Sequence, residues 1–357
     1  MTAPSINVYP ADFGGCGFYR VAWAAQALAA QGAPVRIIYP DAPDDDQIQA
    51  TWLTTESSRK LVSVKRPDCD IVVLQRPLTD TLAASIPILQ AQGVRVVVEI
   101  DDNFEAISPR NVSWRAVQPT LHPRRNSRWL RVACDAADLV VVSTPALANV
   151  YGRHGRVVVV PNRVPAWYLA LEREAHDGVF VGWSGSVDTH PDDLQVTGGG
   201  VARALRATGA RFAVVGTGRG VGKRLGIGAD PPAVGWVPIT EYPRALAELD
   251  IGIVPLELSP FNEAKSALKL MEMAAVGVVP VVSPTAENVR LAQDVGALVA
   301  DRPKMWEGML KRLVMDDEWR AERAAAVREG MRRHTIEAHA EEWLDAWRSA
   351  VNTPCAA

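Results

Sequence analysis

The chain has 357 residues, a length that fits two domains of ordinary size, each large enough to bury a core. Hydrophobic residues make up 48% and charged residues 22%, which excludes an extensively disordered protein, because disordered chains combine low hydrophobicity with high net charge. The formal net charge of -3 provides no overall attraction to polyanions, so affinity for nucleic acids or membranes would require a local basic patch.

The cysteines and the lengths of the apolar runs indicate in which cellular compartment the protein folds. The cysteines are widely separated and form no C-x-x-C pair, which argues against zinc fingers and thioredoxin-like sites and favours a reducing compartment. The first residues contain no basic stretch followed by an apolar one, so we predict no secretory signal. No apolar run approaches about 18 residues, the length expected of a membrane span. We therefore predict a cytoplasmic protein with no membrane span.

The first half alternates short β-branched runs with longer stretches rich in Ala, Leu and Arg. Apolar runs bounded by turn residues and separated by helical stretches are typical of buried parallel strands with crossover helices. The predicted strands are 6–9, 35–39, 71–74, 94–100, 139–142 and 157–160. We assign residues 1–165 to one α/β domain.

A glycine cluster at residues 14–20 follows the first predicted strand and precedes an Ala-rich helix. Small residues let the backbone approach a ligand, and N–H groups at a helix start favour an anion. We therefore count Gly15, Gly17 and Arg20 among the candidate donor-binding residues. The dinucleotide fingerprint G-x-G-x-x-G is not met, because Arg20 occupies its last position. A tight strand-to-helix turn without a ligand is the alternative.

Two adjacent carboxylates, Asp101 and Asp102, follow the predicted strand 94–100. Open α/β sheets bind ligands at the carboxyl ends of their strands, so a general-base, hydroxyl-binding or metal-binding role is chemically possible. Capping of the following segment is the alternative for either residue. Two carboxylates without further ligands are a weak metal signal, and we expect no metal dependence.

A basic segment between residues 106 and 132 has six arginines and no acidic residue. Clustered arginine with tryptophan is typical of binding to phosphates and stacked bases, which favours an anionic acceptor on this half of the chain. The alternative is a solvated basic loop whose tryptophans pack inward. The acceptor-side candidates are Arg110, Arg115, His122, Arg124 and Arg125.

The strand rhythm restarts after an irregular stretch at residues 163–178. The predicted strands of the second half are 179–183, 212–215, 251–254 and 278–282. We predict a second doubly wound domain over 166–330, with a C-terminal helix and tail, 331–357, packing back on the body. The glycine cluster at 216–223 is not a Walker loop, because Thr217 and Arg224 stand where Gly and Ser or Thr are required.

The most specific segment is 260–272. As a helix beginning near Ala264, it places Lys265, Lys269 and Glu272 on one face. Two ammonium groups near a helix start suit a diphosphate, and a glutamate suits two ribose hydroxyls. A solvated face with a Lys–Glu pair is the alternative, although the interleaved apolar residues indicate a largely buried helix.

This segment, together with the apolar run 249–256 before it, resembles the donor-binding half of GT-B glycosyltransferases of the family 4 type, in a bacterial or phage-like variant. The resemblance implies an α/β fold of two facing Rossmann-like doubly wound domains with the nucleotide sugar in the second. It places the acceptor mainly against the first domain. The family commonly has a further glutamate eight residues before Glu272, a position that is Ala264 here.

The resemblance also implies site residues. Residues 181–186 and His190 are similar to a loop beside the donor phosphates, and residues 234–238 to a loop that contacts the base. The implied donor-binding positions are Ser184, Gly185, Trp236, Val237, Pro238, Asn262, Lys265, Ser266, Lys269 and Glu272. The candidate catalytic residues are Asp101, Asp102 and His190, with no metal.

The sequence thus predicts a glycosyltransferase that moves a sugar from a UDP- or GDP-sugar to an acceptor hydroxyl, with retention as the resemblance implies. The nucleotide sugar is a co-substrate, and no cofactor is required. The acceptor is expected to be anionic, as a glycan, a protein or DNA. Two alternatives stay open: a nucleotide-sugar epimerase of the same architecture, and a nucleic-acid- or sugar-binding protein that uses the basic segment.

Overall fold

The computed structural model describes residues 3–55 and 58–352, and these divide into two compact units. The N-terminal unit comprises the described residues within Met1–Ile107, Ser113–Asn162 and Ile336–Ala357. The C-terminal unit comprises Ser108–Val112 and Arg163–Thr335. Residues 108–112 thus belong to the second unit, a feature that the predicted boundaries do not contain. Residues 336–352 belong again to the first unit.

The N-terminal unit contains a parallel sheet flanked by helices. Its strands are β1 (Ile6–Tyr9), β2 (Val35–Ile37), β3 (Ala50–Thr54), β4 (Arg59–Val64), β5 (Ile71–Gln75), β6 (Arg95–Ile100), β7 (Leu139–Val142) and β8 (Val157–Val159). Among the described residues, the main sheet has the order β2-β1-β5-β6-β7-β8, and β3 and β4 form a separate antiparallel ribbon. Residues 71–75 and 139–142 are buried along their whole length, as expected of the central strands of a covered parallel sheet.

The helices of this unit lie mostly between the parallel strands, as crossover connections require. In chain order they are α1 (Gly15–Gly17), a π-helical turn (Phe18–Ala22), α2 (Trp23–Ala30), α3 (Asp80–Ala91), α4 (Val112–Ala116), α5 (Ser127–Ala136) and α6 (Pro145–Tyr151). Short 3₁₀ turns occur at Asp44–Asp46 and Ala350–Asn352. The last helix of the chain, Ile336–Ser349, belongs to the same unit.

A buried polar cluster lies inside the N-terminal unit. The Arg20 guanidinium donates to Glu99 at 2.8 Å, and neither side chain has any exposed surface. Arg20 also donates to the Val160 carbonyl at 2.6 Å, and the indole of Trp347 donates to Glu99 at 2.9 Å. Burial raises the pKa of Glu99, and the charge of Arg20 opposes that shift. This cluster connects β6, the π-helical turn that contains Arg20, and the last helix of the chain.

The C-terminal unit repeats the doubly wound pattern. Its strands are β9 (Phe180–Ser186), β10 (Arg211–Thr217), β11 (Ile251–Val254), β12 (Val279–Val282) and β13 (Leu298–Val299). Within the described chain they form one parallel sheet of order β10-β9-β11-β12-β13. Successive strands are added first on one side of β9 and then on the other, so the switch point lies between β9 and β11.

The helices of the C-terminal unit pack on both faces of this sheet. They are α7 (Gly200–Thr208), α8 (Val221–Leu225), α9 (Tyr242–Ala247), α10 (Pro260–Glu263), α11 (Leu268–Ala275), α12 (Ala286–Val295), α13 (Pro303–Met315) and α14 (Asp317–Met331). The helix Ile336–Ser349 of the N-terminal unit is α15. Three 3₁₀ turns add to them: Ala166–Ala170, Asp193–Thr197 and Arg332–His334. No helix of the described residues is long and apolar enough to cross a membrane.

The tryptophans of the C-terminal helices differ in burial. Trp343 and Trp347 on α15 are fully buried core residues, whereas Trp319 on α14 is half-buried. Trp183 and Trp306 anchor the core of the C-terminal unit. Aromatic side chains of this size contribute much of the apolar area that stabilises each unit.

The packing of α7 on α13 depends on a glycine. A Cβ on Gly200 would lie 2.3 Å from the carbonyl oxygen of Pro303 and 3.0 Å from the Cβ of Trp306. Gly200→Ala forces the two helices apart, so we expect it to destabilise the C-terminal unit by about 1–3 kcal/mol. The thermal unfolding midpoint measures this change.

The matched control is Gly308→Ala on α13, where a Cβ would meet nothing within 4 Å. Since alanine is favoured over glycine within a helix, this variant should be stabilised by about 0.5–1 kcal/mol. Equal midpoints for Gly200→Ala and the parent protein would contradict the packing argument.

Candidate active site

Several of the predicted donor-binding residues lie at one edge of the C-terminal sheet: Ser184 and Gly185 lie near the end of β9, and the segment from Asn262 to Glu272 follows β11. β9, β11 and β12 run parallel, so their carboxyl ends meet at this edge. Residues that follow β9 and β11 flank the switch point between these strands, where doubly wound sheets bind ligands. The segment 187–193 follows β9, and the segment 255–268 follows β11.

The helix predicted from Ala264 is interrupted in the structure. Ser259 caps α10, which ends at Glu263, and α11 begins only at Leu268. Between them, the Lys265 N–H donates to the Asn262 carbonyl at 3.1 Å, which closes a turn. The prediction of one continuous helix is therefore wrong. Lys265 lies in the turn, while Lys269 and Glu272 lie on α11.

Lys269 connects α11 to the end of β9. Its ammonium donates to the carbonyl oxygen of Ser184 at 2.6 Å, and the Ser184 hydroxyl lies 3.4 Å away. Lys265 lies with its ammonium 4.3 Å from the ring centroid of Phe261, a cation–π contact. Both lysine side chains are half-buried, so their charges act in a medium less polar than bulk water.

Glu272 is a buried carboxylate near the middle of α11, with 5% of its surface exposed. The hydroxyl of Tyr242 on α9 donates to its Oε2 at 3.1 Å. Burial, with the charge of Glu272, raises the pKa of Tyr242 well above its usual value, so this hydroxyl stays protonated and can donate. The sequence prediction missed Tyr242, because its partner is 30 residues away along the chain.

His190 lies in the loop after β9 and is held by Asp193. Nδ1 of the imidazole is 2.7 Å from Oδ2 of Asp193. Burial lowers the pKa of His190, the Asp193 hydrogen bond opposes this, and the charges of Lys269 and Lys265 lower it further. The pKa therefore lies below the usual value, and the imidazole is neutral at pH 7.

Asp193 also holds two groups from the segment after β11. Its Oδ1 accepts from the Asn262 amide at 2.7 Å and from the Glu257 N–H at 2.9 Å. Burial by itself raises the pKa of Asp193, but the hydrogen bond and charge of His190 and these further donors bring it below its usual value. Sequence reasoning missed Asp193, although its spacing of three residues from His190 could have suggested the pair.

Two paired glycines lie at the end of the sheet beside Lys269. Gly185 on β9 pairs in register with Gly216 on β10. A Cβ on Gly216 would lie 2.3 Å from the Gly185 carbonyl oxygen, and the φ angle of Gly216 is +124°. A bulkier side chain would therefore disturb the backbone here, and glycines in such strands often allow another molecule to approach closely.

The loop predicted to contact a base is held beside β10. The Val234 and Gly235 N–H groups donate to the carbonyls of Val214 at 3.0 Å and Gly216 at 3.1 Å. Trp236 has 75% of its surface exposed, Pro238 is also exposed, and Val237 is half-buried. An exposed indole offers a flat surface for stacking, and its base-binding role stays a prediction.

The glycine cluster after β10 is occupied by a side chain of this chain. The Gly220 and Gly222 N–H groups donate to Asp230 at 2.8 and 2.9 Å. These bonds lower the pKa of Asp230. Since a Walker loop uses such N–H groups for phosphate, this arrangement agrees with the exclusion of that motif.

The glycine cluster of the N-terminal unit is bound in part by Asp12 of the same unit. The Gly17 N–H donates to Oδ1 of Asp12 at 3.2 Å, and a Cβ on Gly17 would lie 2.1 Å from the Asp12 carbonyl. Arg20 is fully buried in its ion pair with Glu99, so its interpretation as an anion contact is wrong. Gly15, Gly17 and Arg20 belong to the N-terminal unit, whereas Lys269 and Glu272 belong to the C-terminal unit, and a donor-binding role for Gly15 and Gly17 stays a prediction.

Asp101 and Asp102 are paired with an arginine that the sequence prediction missed. Arg76, directly after β5, donates to Asp101 at 2.6 Å and to Asp102 at 3.3 Å. Its φ of +48° is in the left-handed region, which is uncommon for a residue other than glycine. Burial by itself lowers the pKa of Arg76, but the neighbouring Asp101, Cys16 and Asp102 raise it by more, so the net pKa lies well above its usual value. The Arg76 guanidinium therefore stays charged.

These carboxylates also satisfy one geometric condition for a metal. Potential ligand atoms of Cys16, Asp101 and Asp102 lie within 4.8 Å of one another. Arg76 already donates to both carboxylates, and burial raises the pKa of the Cys16 thiol well above its usual range. We therefore assign the group to an ion-pair cluster rather than to a metal site.

The acceptor-side candidates separate between the units. Arg110 belongs to the C-terminal unit and pairs with Asp192 at 2.7 Å, so its placement on the N-terminal side is wrong. The other candidates, Arg115, His122, Arg124 and Arg125, are exposed in the N-terminal unit. Their side chains form no ion pair with any residue in 3–55 and 58–352.

Comparisons with known proteins bear on the fold and on the class of the domain. Residues 201–345 match the family model described as "Glycosyl transferase-like". This match identifies a glycosyltransferase-like domain that contains Tyr242, Lys265, Lys269 and Glu272. With the fold, it supports a glycosyltransferase. No curated protein matches the chain by sequence comparison.

Solved structures share the fold over nearly the whole chain. A glycosyltransferase from Rickettsia africae ESF-5 superposes with a TM-score of 0.64 at 12% identity, covering 98% of this chain and 99% of that one. Sucrose-phosphate synthase from Thermosynechococcus elongatus superposes with a TM-score of 0.62 at 15% sequence identity, covering 97% of this chain and 98% of that one. An α,α-trehalose-phosphate synthase (UDP-forming) from Burkholderia vietnamiensis superposes with a TM-score of 0.60 at 13% sequence identity, covering 97% of this chain and 100% of that one. The predicted GT-B fold class is confirmed.

Proposed function

We propose that the chain transfers a sugar from a nucleoside diphosphate sugar to an acceptor hydroxyl, with the donor bound by the C-terminal unit. The observation that carries the proposal is the placement of Lys269 and Glu272. Both lie on α11, and Lys269 contacts the carboxyl end of β9 at the switch point of the sheet. Doubly wound sheets bind nucleotides at such points.

The lysines supply the charge that a diphosphate requires. Lys269 and Lys265 both act electrostatically on His190, so their positive potentials overlap in the loop after β9. When the glycosidic bond breaks, negative charge develops on the leaving diphosphate. Fixed cations at that position stabilise the transition state more than the ground state, and this difference accelerates the reaction.

Glu272 has the chemistry to hold the ribose. A carboxyl group offers two acceptor oxygens, which suits two ribose hydroxyls, and Tyr242 donates to one of the oxygens of Glu272. The exposed ring of Trp236 offers a stacking surface for the base. UDP is the first nucleotide to test, because the Burkholderia vietnamiensis synthase is described as UDP-forming.

We further propose that the reaction retains the anomeric configuration of the donor sugar and that the acceptor is anionic. Retention, as the family 4 resemblance implies, needs no general base for the acceptor, and Asp101 and Asp102 are already engaged by Arg76. The exposed arginines of the N-terminal unit favour an acceptor with phosphate or carboxylate groups, as part of a glycan, a protein or DNA.

The experiment incubates the protein with UDP-glucose or GDP-mannose, with and without anionic glycan, peptide and DNA acceptors. Nucleotide release is measured, and the anomeric configuration of the product is read by NMR. We expect release that depends on the acceptor, with an α-linked product from the α-linked donor. Conversion of the donor without any acceptor would favour an epimerase. Salt-sensitive binding of DNA without nucleotide affinity would favour a binding protein.

A further inference from the structure

The loop after β9 and the segment after β11 are joined by one buried carboxylate. Asp193 has 3% of its surface exposed, and its two oxygens accept from three groups. Oδ2 accepts from Nδ1 of His190, and Oδ1 accepts from the side chain of Asn262 and the N–H of Glu257. Because an ionised carboxylate cannot donate, Nδ1 of His190 must carry the proton.

This proton fixes the state of the other ring nitrogen. In a neutral imidazole with hydrogen on Nδ1, Nε2 is a hydrogen-bond acceptor. The ring cannot easily turn, since its edge packs on Trp183 with centroids 6.2 Å apart and only 13% of the side chain is exposed. Within the described chain, Nε2 forms no hydrogen bond.

Asn262 presents a second acceptor tied to the same carboxylate. Its amide nitrogen donates to Asp193 and to the Glu257 carbonyl at 3.0 Å. Its amide oxygen is buried and has no partner among the described residues. An unpaired buried acceptor is costly, so a ligand that donates a hydrogen bond would stabilise this arrangement.

The chemistry of these two acceptors distinguishes the parts of a nucleotide sugar. A diphosphate is itself an acceptor and has no hydrogen to donate at neutral pH, so it repels the Nε2 lone pair. A sugar hydroxyl can donate. We propose that Asp193 is a positioning residue that holds His190 as an acceptor for a hydroxyl of the donor sugar. This inference rests on the proposed function and gives His190 a sugar contact rather than a phosphate contact.

The groups around His190 also argue against a role as general base in an inverting reaction. Lys269 acts on the ring from α11, Lys265 acts from the segment after β11, and Asp193 acts from the same loop as His190. A base for inversion must approach the sugar from the side opposite the leaving group. His190 instead shares the surroundings of the lysines that we assign to the leaving diphosphate.

The test compares two ligands, UDP and UDP-glucose, by isothermal titration calorimetry at pH 8. His190→Phe should leave the Kd of UDP unchanged and weaken UDP-glucose about tenfold, the loss of one hydrogen bond. An equal loss for both ligands would assign His190 to the phosphates and overturn the inference. Failure of UDP to bind the parent protein would instead contradict the proposed function.

Asp193→Asn is the isosteric variant for the positioning role. The asparagine oxygen can still accept from Asn262 and Glu257, while its amide donates to Nδ1 and moves the ring proton to Nε2. We expect UDP binding to persist and UDP-glucose binding to fall as in His190→Phe. The ¹⁵N NMR spectrum of the ring, assigned with His190→Phe, should show Nε2 protonated in Asp193→Asn and unprotonated in the parent. A protonated Nε2 in the parent would contradict the inference.

Discussion

Arg20→Met is expected to destabilise the N-terminal unit by about 3–5 kcal/mol, the cost of leaving a buried carboxylate without its cation. Glu99 has no exposed surface, and Arg20 is its charged partner at 2.8 Å. The Trp347 indole alone then stays as a donor to Glu99 among the contacts described above. Unfolding in urea is monitored by hydrogen exchange of the β6 amides, which reports on the N-terminal unit separately from the C-terminal unit.

Two controls separate charge from packing in this cluster. The double variant Arg20→Met/Glu99→Leu removes both charges and should be markedly more stable than Arg20→Met. Arg36→Met breaks an exposed pair with Asp46, whose side chains are 60% and 28% exposed, and should cost about 0.2–1 kcal/mol. Similar losses for Arg20→Met and Arg36→Met would contradict the importance of the buried pair.

Lys269→Met is expected to lower kcat by about 10²–10³, as for other groups that stabilise charge developing in a transition state. Its ammonium lies at the end of β9 and, in our proposal, meets the leaving diphosphate. Because the interaction strengthens as the bond breaks, kcat/KM should fall at least as much as kcat. Nucleotide release at saturating donor measures the effect.

The matched control is Lys311→Met on α13, where the lysine pairs with Glu307 at 2.6 Å. It removes the same charge from the same unit and should keep the parent kcat. Thermal unfolding of both variants shows whether loss of the Ser184 contact also affects stability. A Lys269→Met enzyme with the parent kcat would exclude this lysine from leaving-group stabilisation.

The central strands of both sheets could be predicted because they are buried along their length. Strands β1, β7 and β11 have the predicted bounds, since continuous apolar runs between turn residues allow few alternatives. The sequence did not predict the ribbon β3–β4, whose residues are nearly all half-buried or exposed. Its stability comes from contacts such as the Arg59 guanidinium 3.7 Å from the Trp52 ring, which no local pattern shows.

The errors in the site arise from contacts between distant parts of the chain. Arg20 follows a glycine cluster and therefore looked like an anion contact, yet its partners Glu99 and Asn162 lie 79 and 142 residues away. The break after Glu263 was missed because the apolar spacing continues through it, whereas Asn262 is held by Asp193, 69 residues earlier. Lys269 and Glu272 could be predicted because their relationship is local to one helix.

The most direct test of the donor site is the binding of UDP to the parent protein and to Glu272→Gln, measured by isothermal titration calorimetry. Glutamine can still accept from Tyr242 but loses the charge that strengthens hydrogen bonds from ribose hydroxyls, so UDP should bind about 10–100-fold more weakly. Glu322→Ala, an acidic residue on α14 whose carboxylate is 66% exposed, should bind UDP as the parent does. Saturable binding that Glu272→Gln weakens is the predicted result. Equal affinity of the parent and Glu272→Gln would contradict a donor site at α11.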